Sequence, residues 1–257
     1  MTNEERSSEA NGRRVASVSH AMRILNLLAS NQSGMGVSEI ARTVGLGKST
    51  VHTLLATLRA EEYVEKSSDG SKYHLGLGAF HIGAAAVPGV PADGRLMPLL
   101  WTLAEETGEA VSLAIAHHAD AVIVQRIESQ RLLRAEIRVG TRMPLHSSAS
   151  GKSLLSQMSD ETIRSLYPAE DLPQLSPDTI TNRSTLLAEL DEVREAGHAF
   201  NRGEYAGGVI GVATWVRGRG NRAPLALSVA GPSHRFDPEP LVGRLKEIAK
   251  AMGETLA

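Results

Sequence analysis

Apolar residues recur at helical spacing along the first third of the chain. In VSHAMRILNLLAS, Val18, Ala21, Met22, Ile24, Leu25, Leu27 and Leu28 fall on one broad helical face, and the polar, glycine-containing NQSGMG ends the run. VSEIARTVG repeats the pattern in shorter form with Val37, Ile40, Ala41 and Val44, and Ser38 stands as its N-cap. Gly45 then permits a tight turn, and KSTVHTLLATLRAEEY predicts a third helix with Val51, Leu54, Leu55 and Leu58 inward. Two helices crossing steeply at a short turn need a small residue, a flexible turn and core apolars in that order, which Ala41, Gly45, Val51 and Leu54 supply. The pattern is a helix-turn-helix. YVEKSSDGSKYHLG adds two short strands, residues 63–66 and 72–75, around Ser68, Asp69 and Gly70, so the motif is winged.

The pattern changes after residue 78. LGAFHIGAAA predicts a helix, which VPGVPADG breaks with Pro88 and Pro91 at a domain boundary. RLMPLLWTLAEETG reads as an amphipathic helix ending at Gly108, and EAVSLAIAH, AVIVQRIE and LLRAEIRV as successive strands rich in Val and Ile. SASGKSLLSQM opens a helix, and STLLAELDEVREAG is a longer one with Leu187, Leu190, Val193 and Ala196 in register. VIGVATWV and PLALSVAG return to strand before a closing helix in PLVGRLKEIAKAMGETL. Strands and helices mix without strict alternation, which predicts an α+β fold with a mainly antiparallel sheet. The expected organisation is a disordered polar tail over 1–14, a winged helix-turn-helix over 15–78, a linker helix and loop over 79–92, and a second domain over 93–257.

Charge sharpens the reading of the first domain. The whole chain is near neutral, at −2, but from residue 13 to 60 the basic residues Arg13, Arg14, Arg23, Arg42, Lys48 and Arg59 face a single acid, Glu39. That is a local footprint for double-stranded DNA. Lys48, Ser49, Thr50, His52 and Thr53 occupy the first turns of the third helix, which in this motif enter the major groove. Lys48 and the hydroxyls suit phosphates, while Thr50, His52 and Thr53 are candidates for base edges. Arg14 and Arg42 are further candidate DNA contacts, with Lys72 at the wing.

Gly-Lys-Ser occurs twice, in GLGKST and in HSSASGKSLL, yet neither copy is a phosphate-binding loop. The glycine required five residues earlier is Arg42 in one case and His146 in the other. Other chemistry is equally thin. With no cysteine there is no disulfide, thiol nucleophile or Cys-ligated metal. His117 and His118 are adjacent, so on a strand they face opposite sides and cannot chelate one ion. Ser150 or Ser153 with His146 and Asp171 lacks the elbow of a serine hydrolase, and Glu204 reads as a surface or dimer-contact charge. No catalytic residue, metal or cofactor is expected. A composition of 42% hydrophobic and 22% charged residues, without a membrane-length apolar run or secretory signal, predicts a cytoplasmic globular protein.

In the order in which they occur, VASVSHAMRILNLLA, SEIARTVGLGKSTVHTLLATLRAEEYVEK, YHLGLGAFHIG, MPLHSSASGKSLL, LDEVREAGHAFNRGEYAGGVIGVATWV and PLALSVAGP resemble the IclR family of bacterial transcriptional regulators. The resemblance runs from about Val15 to the C-terminus. It implies a winged helix-turn-helix, a linker helix and a C-terminal GAF-like domain that binds a small effector and assembles dimers into tetramers. It also implies that Met143, Ala149, Ser150, Asn201, Gly211, Ser228 and Ala230 line the effector pocket, with the helix begun at SASGKSLL bordering it and offering backbone N–H groups to an anion. Asn201 stands where some members carry an acid, Gly211 where cysteine is common, and Thr214 and Trp215 where a small residue and proline are usual. A glyoxylate or pyruvate specificity therefore does not transfer. Trp215 is either a core residue or a stacking surface for an aromatic ligand.

The resulting expectation is a regulator, with a mild preference for a repressor, whose operator binding responds to a carboxylate or aromatic metabolite. Two rivals remain: a small-molecule enzyme, which lacks a catalytic constellation, and a protein-interaction adaptor, which predicts no salt-sensitive DNA affinity.

Overall fold

The computed structural model describes residues 15–31, 33–85, 94–131, 137–217 and 224–256. The chain divides into two compact units between residues 86 and 87.

In the first unit, α1 (Ala16–Ala29), α2 (Val37–Val44) and α3 (Lys48–Ala60) surround a core that includes Ile24, Leu28, Ile40, Val51 and Leu55. The turn between α2 and α3 is the one the spacing predicts: Gly45 adopts φ +70°, and its N–H closes onto the Ala41 carbonyl. Strands β1 (Val64–Lys66) and β2 (Tyr73–Leu75) form the wing hairpin. Met35 and Tyr73 exchange backbone hydrogen bonds of 3.1 and 2.9 Å, which ties the wing to the segment before α2.

One expectation fails here. Ser38 is not the cap of α2; the helix begins one residue earlier behind Gly36, without a side-chain cap. The apolar face of α1 is only partly covered: Val18 and Met22 are 56% and 51% exposed, and the helix fully buries only Ile24 and Leu28. A small three-helix unit cannot cover the whole apolar face of α1. Helix α4 (Leu77–Ala85) leaves β2 with Gly76 and Gly78 pressed on the Glu62 carbonyl, where a Cβ would lie 2.3 and 3.0 Å from that oxygen.

The second unit is built on a six-stranded antiparallel sheet in the order β5-β4-β3-β8-β7-β6. Its strands are β3 (Ala110–His117), β4 (Asp120–Ile127), β5 (Arg142–Pro144), β6 (Ala199–Arg202), β7 (Val209–Val216) and β8 (Leu225–Pro232). Side chains alternate across it by size as well as polarity. Val111, Leu113, Val212, Val216, Leu225, Leu227 and Val229 face α5 (Met97–Thr107) and the closing helix α9 (Val242–Thr255) in one core. The opposite face carries small residues, among them Ser112, Ala114, Gly211, Ala226 and Ser228, and these leave room for a helix to lie close.

That helix is α6 (Ala149–Leu155), flanked by α7 (Asp160–Leu166) and α8 (Arg183–Ala196), and every one of its residues is buried. The strand expected at LLRAEIRV lies mostly outside the described residues, and Ile137 and Arg138 are not in a strand. Strands β5 and β6 and helix α7 are too short for periodicity to reveal. Ala196 is exposed, and Leu186 takes its expected place in the core face of α8.

Candidate functional site

At the start of α3, Gly47 is the N-cap residue and offers no side chain to the first turn. Its uncapped N–H groups and the exposed Lys48, Ser49 and Thr50 present positive potential and donors to an anion. His52 and Thr53 are exposed on the next turn, but the Thr53 hydroxyl donates to the Ser49 carbonyl at 3.1 Å, so its methyl is the part left to present. Arg42 is exposed on α2. Arg23 serves the fold instead, donating to the Val44 carbonyl at 2.7 Å and closing the end of α2.

The wing is electrostatically mixed. Lys72 is exposed and donates to the Ser33 carbonyl at 3.2 Å, and at the turn Asp69 accepts from the Ser71 amide at 3.0 Å and from the hydroxyls of Ser67 and Ser71. These bonds, that from Ser67 foremost, hold the Asp69 carboxyl well below the usual carboxylate range, so the tip stays anionic. Arg14 and the expected tail over 1–14 lie outside the described residues.

The second unit holds a small, partly open cavity of about 40 Å³ between its sheet and the start of α6. Met143 from β5, Ala149 and Ser150 from α6, Asn201 from β6, Gly211 from β7, and Ser228 and Ala230 from β8 all line it. The seven positions named by the resemblance thus come together around one space. Ser112, Ile123 and Arg126, from β3 and β4, complete the floor and were not anticipated.

Not every lining group is available to a ligand. The Asn201 side-chain oxygen accepts from the Gly203 and Glu204 amides at 3.1 and 2.9 Å, so this residue closes the turn after β6. Ser148 caps α6 by accepting from the Gly151 amide at 3.1 Å, which uses one of the donors expected to serve an anion. Ser150 Oγ has no hydrogen-bond partner among the described residues. At Gly211 a Cβ would meet the Val229 carbonyl oxygen at 2.8 Å, so the strand passes too close to β8 for a side chain without adjustment.

The second GKS acts as a structural joint. A Cβ on Gly151 would lie 2.2 Å from the Leu145 carbonyl oxygen, so glycine lets α6 sit directly on the preceding turn. Lys152 is fully buried and donates to both Glu204 oxygens, at 2.8 and 2.7 Å, and to Glu189 on α8. Glu204 is therefore a buried ion-pair partner rather than a surface charge, because the turn held by Asn201 folds it inward. Burial, the largest influence, pushes its carboxyl above the usual range against the opposing effect of Lys152.

The serine-histidine arrangement does not form. His146 Nε2 pairs with the Pro173 carbonyl at 2.9 Å, while its Nδ1 and Ser153 Oγ are buried without partners among the described residues. His118 sits in a turn at φ +54° rather than on a strand, so its ring lies 4.4 Å from that of His117. No group of His, Asp and Glu placed to hold a metal occurs among the described residues. Thr214 is buried and donates to the Gly197 carbonyl at 2.8 Å, while half-buried Trp215 carries the Arg217 guanidinium 4.9 Å from its ring centroid. Neither lines the cavity.

A winged helix-turn-helix with an uncapped, basic recognition-helix start, on the same chain as a cavity-bearing α+β domain, defines a one-component regulator. Comparison with known proteins carries this to a family. A model described as "Bacterial transcriptional regulator IclR C-terminal" matches residues 93–257, and one described as "IclR helix-turn-helix domain" matches residues 17–68. The HTH-type transcriptional repressor AllR of Escherichia coli (strain K12) is 30% identical over 237 residues, covering 90% of this chain and 88% of that protein. The acetate operon repressor of Salmonella typhimurium is 28% identical over 250 residues, covering 94% and 91%. Among solved structures, an IclR homolog from Microbacterium hydrocarbonoxydans, complexed with 4-hydroxybenzoate, superimposes with a TM-score of 0.79 at 24% identity, covering 94% of this chain and 99% of that one. The chain belongs to the IclR family of bacterial transcriptional regulators. It is a DNA-binding regulator and not an enzyme.

Proposed function

We propose that this regulator is a repressor whose grip on a double-stranded DNA operator is set by a small metabolite, a carboxylate or an aromatic compound, in the cavity of the second unit. The cavity is the observation that carries the effector half. All six strands of the sheet contribute to its wall, small side chains on one sheet face create it, and apolar and hydroxyl groups share its lining. Repressor function is supported by the names of AllR and the acetate operon repressor, and the ligand class by the 4-hydroxybenzoate complex of a protein with the same fold.

In this reading Lys48, Ser49, Thr50 and the amides of the first turn hold phosphates, with Arg14, Arg42 and Lys72 as outlying cations, and Thr50, His52 and the Thr53 methyl meet base edges. Helices α1 and α4, with Val15 just ahead of α1, leave Val15, Val18, Met22, Leu77, Phe80 and Ile82 exposed. This much bare apolar surface on a small unit supports self-association as a homodimer or homotetramer, which reads a two-fold operator. No described helix is long and apolar enough to cross a membrane. The site of action we infer is the cytoplasm, where the DNA is.

The test is binding of the purified protein to the DNA upstream of its own gene, titrated with salt against a scrambled duplex. Specific binding that weakens steeply with salt is expected. Equal affinity for the scrambled duplex, or no dependence on salt, rejects the proposal.

A further inference from the structure

Strand alternation places Ile123 and Arg126 on opposite faces of β4, yet both line the cavity. The cause is a β-bulge. Leu113 pairs with Gln125 and Ala114 with Ile123, so Val124 is an extra residue that reverses the alternation beyond it. Arg126 consequently shares the face of its partner Ser112 instead of entering the Leu and Val core beneath the sheet. A bulge disrupts the ladder locally, and its use is to re-aim a side chain.

The residue re-aimed here is a cation whose side chain is 4% exposed. Arg126 Nε donates to Glu128 Oε1 at 2.9 Å, and Nη1 donates to Ser112 Oγ at 2.8 Å. Glu128 is itself 41% exposed at its side chain, so it fixes the guanidinium plane from the solvent side. An arginine has five N–H donors. Both hydrogens on Nη2 and one on Nη1 have no partner among the described residues, which leaves the guanidinium donors for a carboxylate. No other described residue lining the cavity carries a charge; the rest are apolar, hydroxyl or amide groups.

We propose that Arg126, turned into the cavity by the bulge at Val124, is the anchor for the carboxylate of the effector. This rests on the reading of the cavity as an effector site. It selects, within that reading, a monocarboxylate with a compact body. Ile123, Ile137 and Met143 meet the body's apolar part, and Ser150 and Ser228 meet a hydroxyl. A second carboxylate finds no second cation among the described lining residues.

The experiment pairs acids with their neutral counterparts: linear monocarboxylates of two to six carbons, benzoate and 4-hydroxybenzoate, each beside its primary amide, with a set of neutral sugars. Binding to the full-length protein is measured by calorimetry for the wild type, Arg126→Gln and Arg126→Lys. At least one acid is expected to bind at least tenfold more tightly than its amide. Arg126→Gln should lose at least tenfold in affinity for that acid while keeping operator affinity, and Arg126→Lys should fall between.

The acid-against-amide comparison needs only the wild type, so it stands even if a variant folds poorly. Equal binding of acid and amide, or acid binding untouched in Arg126→Gln, overturns the anchor. Binding of amides or sugars alone overturns the anchor but leaves the effector site in place. Silence across the whole set counts against both.

Discussion

Lys152 Nζ lies 2.7 Å from Glu204 Oε2 inside the second unit, and the pair joins α6 to the turn after β6. Both segments also form walls of the cavity, through Ser150 on one side and Asn201 on the other. Removing one partner from such a pair leaves a buried charge without compensation, a loss of about 3–5 kcal/mol. Lys152→Met should therefore unfold in urea at a clearly lower midpoint than the wild type. The double variant Lys152→Met, Glu204→Gln should recover part of the loss. Equal midpoints for the single and double variants contradict this account.

The two Gly-Lys-Ser copies should respond unequally to the same change. Gly151→Ala drives a methyl into the Leu145 backbone and should cost about 1–3 kcal/mol, by analogy with overpacked cores. Gly47→Ala meets nothing closer than the Thr50 hydroxyl at 3.8 Å and leaves an allowed backbone, so it should cost only the exchange of a favoured N-cap residue for a poor one, less than Gly151→Ala. Thermal midpoints of the two variants check both statements.

His146 links stability to pH. Burial, with a smaller push from Lys152 against the Pro173 hydrogen bond, holds its pKa below the ordinary histidine value. A depressed pKa means the folded state resists protonation. Its contribution is fully present above about pH 6.5, the unperturbed value, and is lost as pH falls through the lowered one. The thermal midpoint of the wild type should drop faster on acidification below pH 6.5 than that of His146→Gln, which keeps a donor for Pro173. Parallel curves for the two proteins would remove His146 as the cause.

On the recognition helix, Thr53 and His52 should separate. The Thr53 hydroxyl is engaged within the helix, so Thr53→Val keeps the methyl and should retain operator affinity and sequence preference. His52→Ala should relax discrimination by about 1–3 kcal/mol at the base pair it reads. Lys48→Ala, in contrast, should weaken all DNA alike and reduce the salt slope by about one. Competition assays against operators with single base changes distinguish these outcomes.

The first unit was legible because its information is local: the spacing of Ala41, Gly45, Val51 and Leu54 encodes the turn between α2 and α3. Periodicity marks an apolar face but not what covers it, so the exposure of Val18 and Met22 could not be read from the spacing of α1. In the second unit strands were visible as Val- and Ile-rich runs, but not their order, since β3 pairs with β8 more than a hundred residues away. Seven cavity positions came from the family resemblance and none from spacing. Arg126 escaped because alternation sends it to the wrong face, and no glycine marks the bulge. Glu204 was misread because its partner is 52 residues distant, although a lysine within the small-residue run SASGKSLL was itself a signal that a buried carboxylate must answer it.

The central claim is that the cavity and the recognition helix share one equilibrium. The most direct measurement is the operator dissociation constant with and without the carboxylate that binds best, together with that ligand's dissociation constant with and without operator. Linkage requires the same factor in both directions. The account predicts equal factors of about five or more in the two experiments, within the usual range of coupling energies. A ligand that binds tightly yet leaves the operator constant unchanged would contradict it.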